Sequence, residues 1–206
     1  HGQGMDGKVD LDRIARVLSE QKPDVVALQE IDRHCERSGN RDLAAELGGR
    51  LDMEHRFGKA VPFQGGDYGV AVLSRFPIVD AHVHPVPGGG EPRAPLEVVL
   101  EIAGNKLSLV SVHLENSKET IRTRQAEALH EALAGREHPV VLAGDFNSVP
   151  GSPTLRLVPR SRDREGGPEQ IQRRGLRGAA RSSHPGTTDR HRPGRGPGGT
   201  QFSAAR

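Results

Sequence analysis

The sequence has no tryptophan, one tyrosine and one cysteine, and aromatic residues make up 3% of it. A single cysteine, Cys35, excludes an intrachain disulfide and points weakly to a reducing compartment. No apolar stretch approaches the ~18 residues that a membrane-spanning helix needs. No signal peptide is visible, so the expected location is cytoplasmic. The chain starts at His1 rather than Met, and a lost N-terminal signal stays open.

Large apolar residues are also scarce, but unevenly so. Hydrophobic residues account for 33% of the 206, low for a domain of this size. Up to Pro159 the chain carries ordinary Val, Leu and Ile runs. From Arg160 onward the only large apolar residues are Ile171, Leu176 and Phe202. Charge divides at the same place. Residues 160–206 hold 11 Arg, no Lys and four acids, a net of +7. The other 18 basic and 23 acidic residues leave 1–159 at −5. The basic pI therefore belongs to the tail and is no argument that the folded part binds nucleic acid.

What is present in the first three quarters reads as a mixed α/β domain. Asp10 caps a helix with Leu11, Ile14, Ala15 and Leu18 at helical spacing. Val25–Leu28 and Val140–Ala143 are short continuous apolar runs, the pattern of strands buried on both faces. A second helix is expected over about 41–47, stopping at Gly48-Gly49. Tyr68–Ser74 reads as a strand. Leu96–Ile102 and Lys106–His113 read as a hairpin around Gly104-Asn105. Ser117 is expected to cap a helix carrying Ile121, Ala128, Leu129, Ala132 and Leu133. Helix–strand units mixed with hairpins favour a layered sandwich over a doubly wound sheet. The domain is placed at 1–158. Residues 159–206, rich in Gly, Arg, Pro and Ser without periodicity, read as disordered or as out-of-frame translation of a GC-rich gene.

Two acids stand by the ends of buried strands: Glu30 after Val25–Leu28 and Asp145 after Val140–Ala143. Such a place suits a hard cation, which takes carboxylate and amide oxygens and keeps water. Asn147 adds an uncharged oxygen. Taken alone, Asp145 and Asn147 equally read as a turn, and Glu30 as a salt-bridged acid. His113 at a strand end and Arg93 in the loop Glu91–Pro95 are each commonplace by themselves. His82 and His84 alternate on a possible strand and so share a face, yet no third ligand is spaced near them.

Their order along the chain carries more information. Gln29-Glu30 comes first, then Tyr68-Gly69-Val70-Ala71-Val72-Leu73-Ser74-Arg75, then Arg93. Ser111-Val112-His113-Leu114 follows, then Arg124-Gln125, then Gly144-Asp145-Phe146-Asn147. This succession, over about 1–158, resembles the endonuclease/exonuclease/phosphatase family, which includes DNase I-like nucleases, sphingomyelinases and inositol polyphosphate phosphatases. His1-Gly2 resembles the remnant of a first motif that carries an Asn just upstream.

The resemblance implies a DNase I-like α/β sandwich of two β-sheets flanked by helices, here without its last strands, so that one sheet has an uncovered edge. It implies hydrolysis of a phosphodiester or phosphomonoester by a metal-bound water. Glu30 and Asp145 are the implied metal residues, with Mg²⁺ expected and Mn²⁺ possible. The implied catalytic residues are His113, Asp145 and Asn147, and Arg93 and Asn147 are implied for the substrate phosphate. The family closes with an Asp-His pair. Here only Asp189 and His191 offer the residue types, with an Arg between them. The expected substrate is a small-molecule, lipid-linked or nucleic-acid phosphoester, without an obligate protein partner. A nuclease, or an inactive fragment with a basic disordered tail, are the alternatives.

Overall fold

The computed structural model describes residues 2–157 and 202–205. In chain order the elements are α1 (Leu11–Gln21), β1 (Val25–Arg33), a short 3₁₀ turn (Glu36–Ser38), α2 (Leu43–Leu51), β2 (Glu54–Phe63) and β3 (Gly66–Ser74). There follow β4 (Ile78–Val83), β5 (Leu96–Ile102), β6 (Asn105–His113), α3 (Glu119–Leu133), β7 (Val140–Asp145), α4 (Pro153–Leu157) and β8 (Phe202–Ala205). The strands form two four-stranded sheets, ordered β2-β3-β1-β8 and β4-β5-β6-β7.

Side-chain alternation explains why β1 reads as an unbroken apolar run. Val26 and Leu28 face a helical layer with Leu11, Leu18, Leu43 and Leu47. Val25 and Ala27 face the other sheet, packing with Leu96, Val98, Leu100 and Leu109. On the far side of that second sheet, Val110 and Val112 meet Ala126, Leu129 and Leu133 of α3. Helix, sheet, sheet and helix thus stack in layers, the α/β sandwich expected, with both faces of each central strand out of water.

Several local expectations are corrected. α2 runs through Gly48 and Gly49 to Leu51, with Asp52 as its left-handed C-cap. Gly48 does not stop the helix. A Cβ there would lie 2.9 Å from the Met53 carbonyl oxygen, so glycine permits the close approach of β2. α3 is capped from Lys118 without a side-chain bond, while Ser117 turns to Glu115. β2 is a strand that no apolar periodicity announced, because its outward positions are polar or exposed. Asp10 does cap α1, accepting from the Arg13 amide at 2.9 Å. Ala103 and Gly104 both take positive φ and close the β5–β6 hairpin.

Of the tail, Phe202–Ala205 forms a strand antiparallel to β1, opposite Val25–Leu28. β7 pairs only with β6 among the described residues. The rest of 159–206, including the candidate pair Asp189 and His191, lies outside the described residues. No helix among those described is long and apolar enough to cross a membrane.

Candidate functional site

Glu30 does not follow the end of its strand, as the apolar run implied. It lies inside β1, at a bulge. Leu28 pairs with Ala71 and Ile31 with Gly69, so Gln29 and Glu30 together oppose Val70. Strict alternation would send Glu30 onto the helical layer with Val26 and Leu28. The extra residue resets the phase, and Ile31 takes that apolar place instead. Glu30 absorbs the change with φ at 57°. The other non-glycine residues with positive φ cap helices or sit in turns and loops; Glu30 alone among them is inside a strand. Such strain, of order 1–3 kcal/mol, persists where the fold needs a side chain re-aimed.

Its neighbour Gln29 points between the sheets. The Nε2 group donates to Ser111 Oγ at 3.2 Å, and Ser111 Oγ donates to the Leu28 carbonyl at 3.2 Å. Gly144 fits against the same amide. With φ at 140°, a Cβ on Gly144 would sit 2.1 Å from the Val112 carbonyl and 2.9 Å from Gln29 Nε2. The ends of β1, β6 and β7 are thereby drawn together, with His113 beside Asp145 in the parallel register of β6 and β7.

Asp145 closes β7 and folds the chain back. Its Oδ1 accepts from the Asn147 amide at 2.8 Å, and Asn147 Nδ2 donates to the Leu114 carbonyl at 2.9 Å. Asn147 is left-handed, at φ 49°. Its amide nitrogen is committed to the backbone, so its carbonyl oxygen is the group left for a ligand. The turn expected of Asp145 and Asn147 is present, and it leaves room for the site role.

His113 is buried and held by Arg93, whose Nη1 stands 2.9 Å from His113 Nδ1. The same Nη1 stands 3.4 Å from Nε2, so the guanidinium lies against the face of the ring rather than at its edge. Burial and the Arg93 charge push the His113 pKa down to about 4, against the opposing pull of Glu30, Asp145 and Glu115. The ring is therefore a neutral donor at neutral pH. Arg93 is itself buried, paired with Glu91 Oε1 at 2.8 Å, and its Nε has no partner among the described residues. Tyr68, Arg93 and His113, with Ala60, Gly69, Val70 and Ala94, line a cavity of about 10 Å³, the size of one water.

The carboxylates of Glu30 and Asp145 both act on the charge of His113. Among the described residues no three His, Cys, Asp or Glu side chains converge to cage an ion. Two carboxylates with amide oxygens beside them suit Mg²⁺, which keeps several waters and binds through one or two carboxylates. Between the sheets, the buried Gln29 Oε1 has no hydrogen-bond partner among the described residues.

The histidines of β4 go elsewhere. His82 pairs with Asp80 and His84 with Glu97, so they do not chelate together. Gln125 is structural. It accepts from the Glu115 amide at 2.8 Å and donates to the Pro87 carbonyl at 3.0 Å, while Arg124 is exposed. Sequence reasoning missed Tyr68, Glu91 and Gln29 as parts of this site. Only the acid two residues before Arg93 left a local trace.

A family model described as the endonuclease/exonuclease/phosphatase family matches residues 2–205. The chain belongs to this family. Solved structures agree on the fold. A functionally unknown conserved protein from Enterococcus faecalis superposes with a TM-score of 0.63 at 16% identity, over 77% of this chain and 65% of that one. TDP2 from D. rerio, complexed with a single-strand DNA product, gives 0.57 at 21%, over 71% and 56%. Sphingomyelinase C from Streptomyces griseocarneus gives 0.54 at 22%, over 72% and 61%. The chain thus spans less than two thirds of each of these family-fold structures. At such identities the likeness is one of fold.

Proposed function

We propose that this chain is a divalent-metal-dependent phosphoester hydrolase, with Mg²⁺ or Mn²⁺ as cofactor. The observation that carries the reading is the strained bulge at Glu30, whose charge acts on His113 together with that of Asp145. A fold keeps such strain where a side chain has chemistry to do. Family membership supports the same reaction class.

Phosphoryl transfer asks for in-line positioning and charge neutralisation more than for covalent chemistry. A bound divalent ion would supply charge neutralisation at the phosphoryl oxygens and a lowered pKa for water. Glu30 and Asp145 would hold it. Asp145 Oδ1 is engaged by the Asn147 amide, which leaves Oδ2 to orient the attacking water. The Asn147 carbonyl oxygen helps hold that water. His113 donates a ring N–H to a phosphoryl oxygen. Arg93, held against the His113 ring, adds the positive charge that neutralises the phosphate. The bond from water oxygen to phosphorus forms as the bond to the leaving oxygen breaks.

The test is release of p-nitrophenol from bis(p-nitrophenyl) phosphate by the full chain with Mg²⁺ or Mn²⁺, beside EDTA and Asp145→Ala. Metal-dependent release that falls at least about a hundredfold in the variant is expected. Release unaffected by EDTA refutes the reading. No release together with no metal-dependent thermal shift would favour the inactive fragment with a basic tail.

A further inference from the structure

Tyr68 faces two ways. One side of it lines the small cavity with Arg93 and His113. The other meets Phe63, with ring centroids 6.3 Å apart and planes tilted by 53°. The Arg37 guanidinium lies 4.4 Å from the Phe63 centroid and 5.4 Å from that of Tyr68. Arg37 is locked there, donating from Nε and Nη2 to the fully buried Asp32 at 2.8 and 2.7 Å. The 3₁₀ turn that carries it is pinned to the β2–β3 hairpin tip, since the Glu36 and Arg37 amides both donate to Gln64. Phe63 is nevertheless 37% exposed, and it is the one aromatic among the exposed large apolar residues described. An exposed ring joined to a rigid guanidinium offers a stacking surface that no further ring covers among the described residues.

We propose that the Arg37–Phe63 stack is a subsite for a nucleobase next to the scissile phosphate of a single-stranded nucleic acid. The inference rests on the hydrolase reading for the place of the phosphate. Planar bases stack on aromatic rings and on guanidinium planes alike, and do so without regard to sequence. Tyr68 links the two places, so a phosphate at Arg93 and His113 has its attached nucleoside beside Phe63. A quaternary ammonium headgroup fits poorly. It needs an aromatic face free of positive charge, and Arg37 already occupies that position over both rings.

The experiment exploits the scarcity of aromatics. Tyr68 is the only tyrosine and there is no tryptophan, so intrinsic tyrosine emission reports on this subsite alone. The full chain in EDTA is titrated with thymidylyl-thymidine, and with dimethyl phosphate as a base-free control. A dinucleotide carries a single charge and gains little from the basic tail. The dinucleotide should perturb Tyr68 emission, and Phe63→Leu should weaken its binding about tenfold. Phe63→Trp should restore it, with its own emission quenched. Dimethyl phosphate should bind equally weakly to all three.

Equal dinucleotide affinity in the Leu variant overturns the proposal. So does a Phe63 dependence seen with phosphatidylcholine vesicles but not with the dinucleotide, which would mark a lipid-facing surface. Hydrolysis is measured separately on bis(p-nitrophenyl) phosphate. Loss of turnover with Phe63-dependent dinucleotide binding intact would fault the hydrolase reading alone. The converse would fault the subsite alone.

Discussion

The Arg93 guanidinium meets the His113 imidazole at 2.9 Å, Nη1 to Nδ1, with both side chains buried. A cation held against the ring opposes its protonation, so the pair keeps a neutral imidazole with one ring N–H to donate.

A pH dependence follows. The His113 pKa is lowered to about 4 from an ordinary value of 6.5. Between those values the unfolded chain binds more protons than the folded one, so stability rises with pH. Acidification from pH 7 to 4 in EDTA should remove up to ~3 kcal/mol through this group. His113→Gln should show a smaller loss over the same range in urea melts. An identical loss in both proteins would place the acid sensitivity elsewhere.

Glu30→Gln is expected to weaken the response to metal while leaving the fold in place. The amide keeps the shape but not the charge that a hard cation needs. A tenfold weaker affinity removes about 1.4 kcal/mol of the stabilisation that excess Mg²⁺ adds. Thermal melts with and without Mg²⁺ measure it. An unchanged Mg²⁺ increment would take Glu30 out of the metal site.

Gly144→Ala should be severe for one methyl group. The backbone conformation at φ 140° disfavours any side chain, and the new Cβ would lie 2.1 Å from the Val112 carbonyl. Relief requires β7 to move from β6, carrying Asp145 with it. A loss of at least ~2 kcal/mol is expected, with metal-dependent turnover falling further than stability. Near-native stability in this variant would mean that the β6–β7 junction is loose.

Glu97 should matter to stability and not to the phosphate site. Burial alone would raise its pKa, but hydrogen bonds from Arg136, Ser108 and His84 outweigh it and hold the value at about 2. Its stabilisation is present above about pH 4.5 and is lost as pH falls toward 2. Glu97→Gln should cost about 2 kcal/mol at pH 7, since Arg136 is partly exposed and can turn to water. Metal-dependent thermal shift should be unaltered. A changed metal response would show that this outer-face cluster is coupled to the site.

Much of this protein is local. Val25–Leu28 is apolar at every position because it faces a core on both sides, and that is visible in four residues; Val140–Ala143, read the same way, is only partly buried, with Val141 39% exposed. Asp10 announces α1 because a cap acts over three residues. The ordered set Glu30, Arg93, His113, Asp145 and Asn147 pointed to the family and to the sandwich. What the tertiary structure decided depends on contacts between distant segments. β2 is a strand because β3 pairs with it, not because its own half-polar sequence demands one. Glu30 belongs to a bulge only through its register against Val70 and Gly69. Arg93 meets His113 only when the loop before β5 and the end of β6 come together. Arg37 finds Phe63 because Asp32 anchors it from below and a hairpin tip closes from the side. Short-range periodicity encodes burial, but the direction and partner of a polar side chain are fixed only when separate strands come into register.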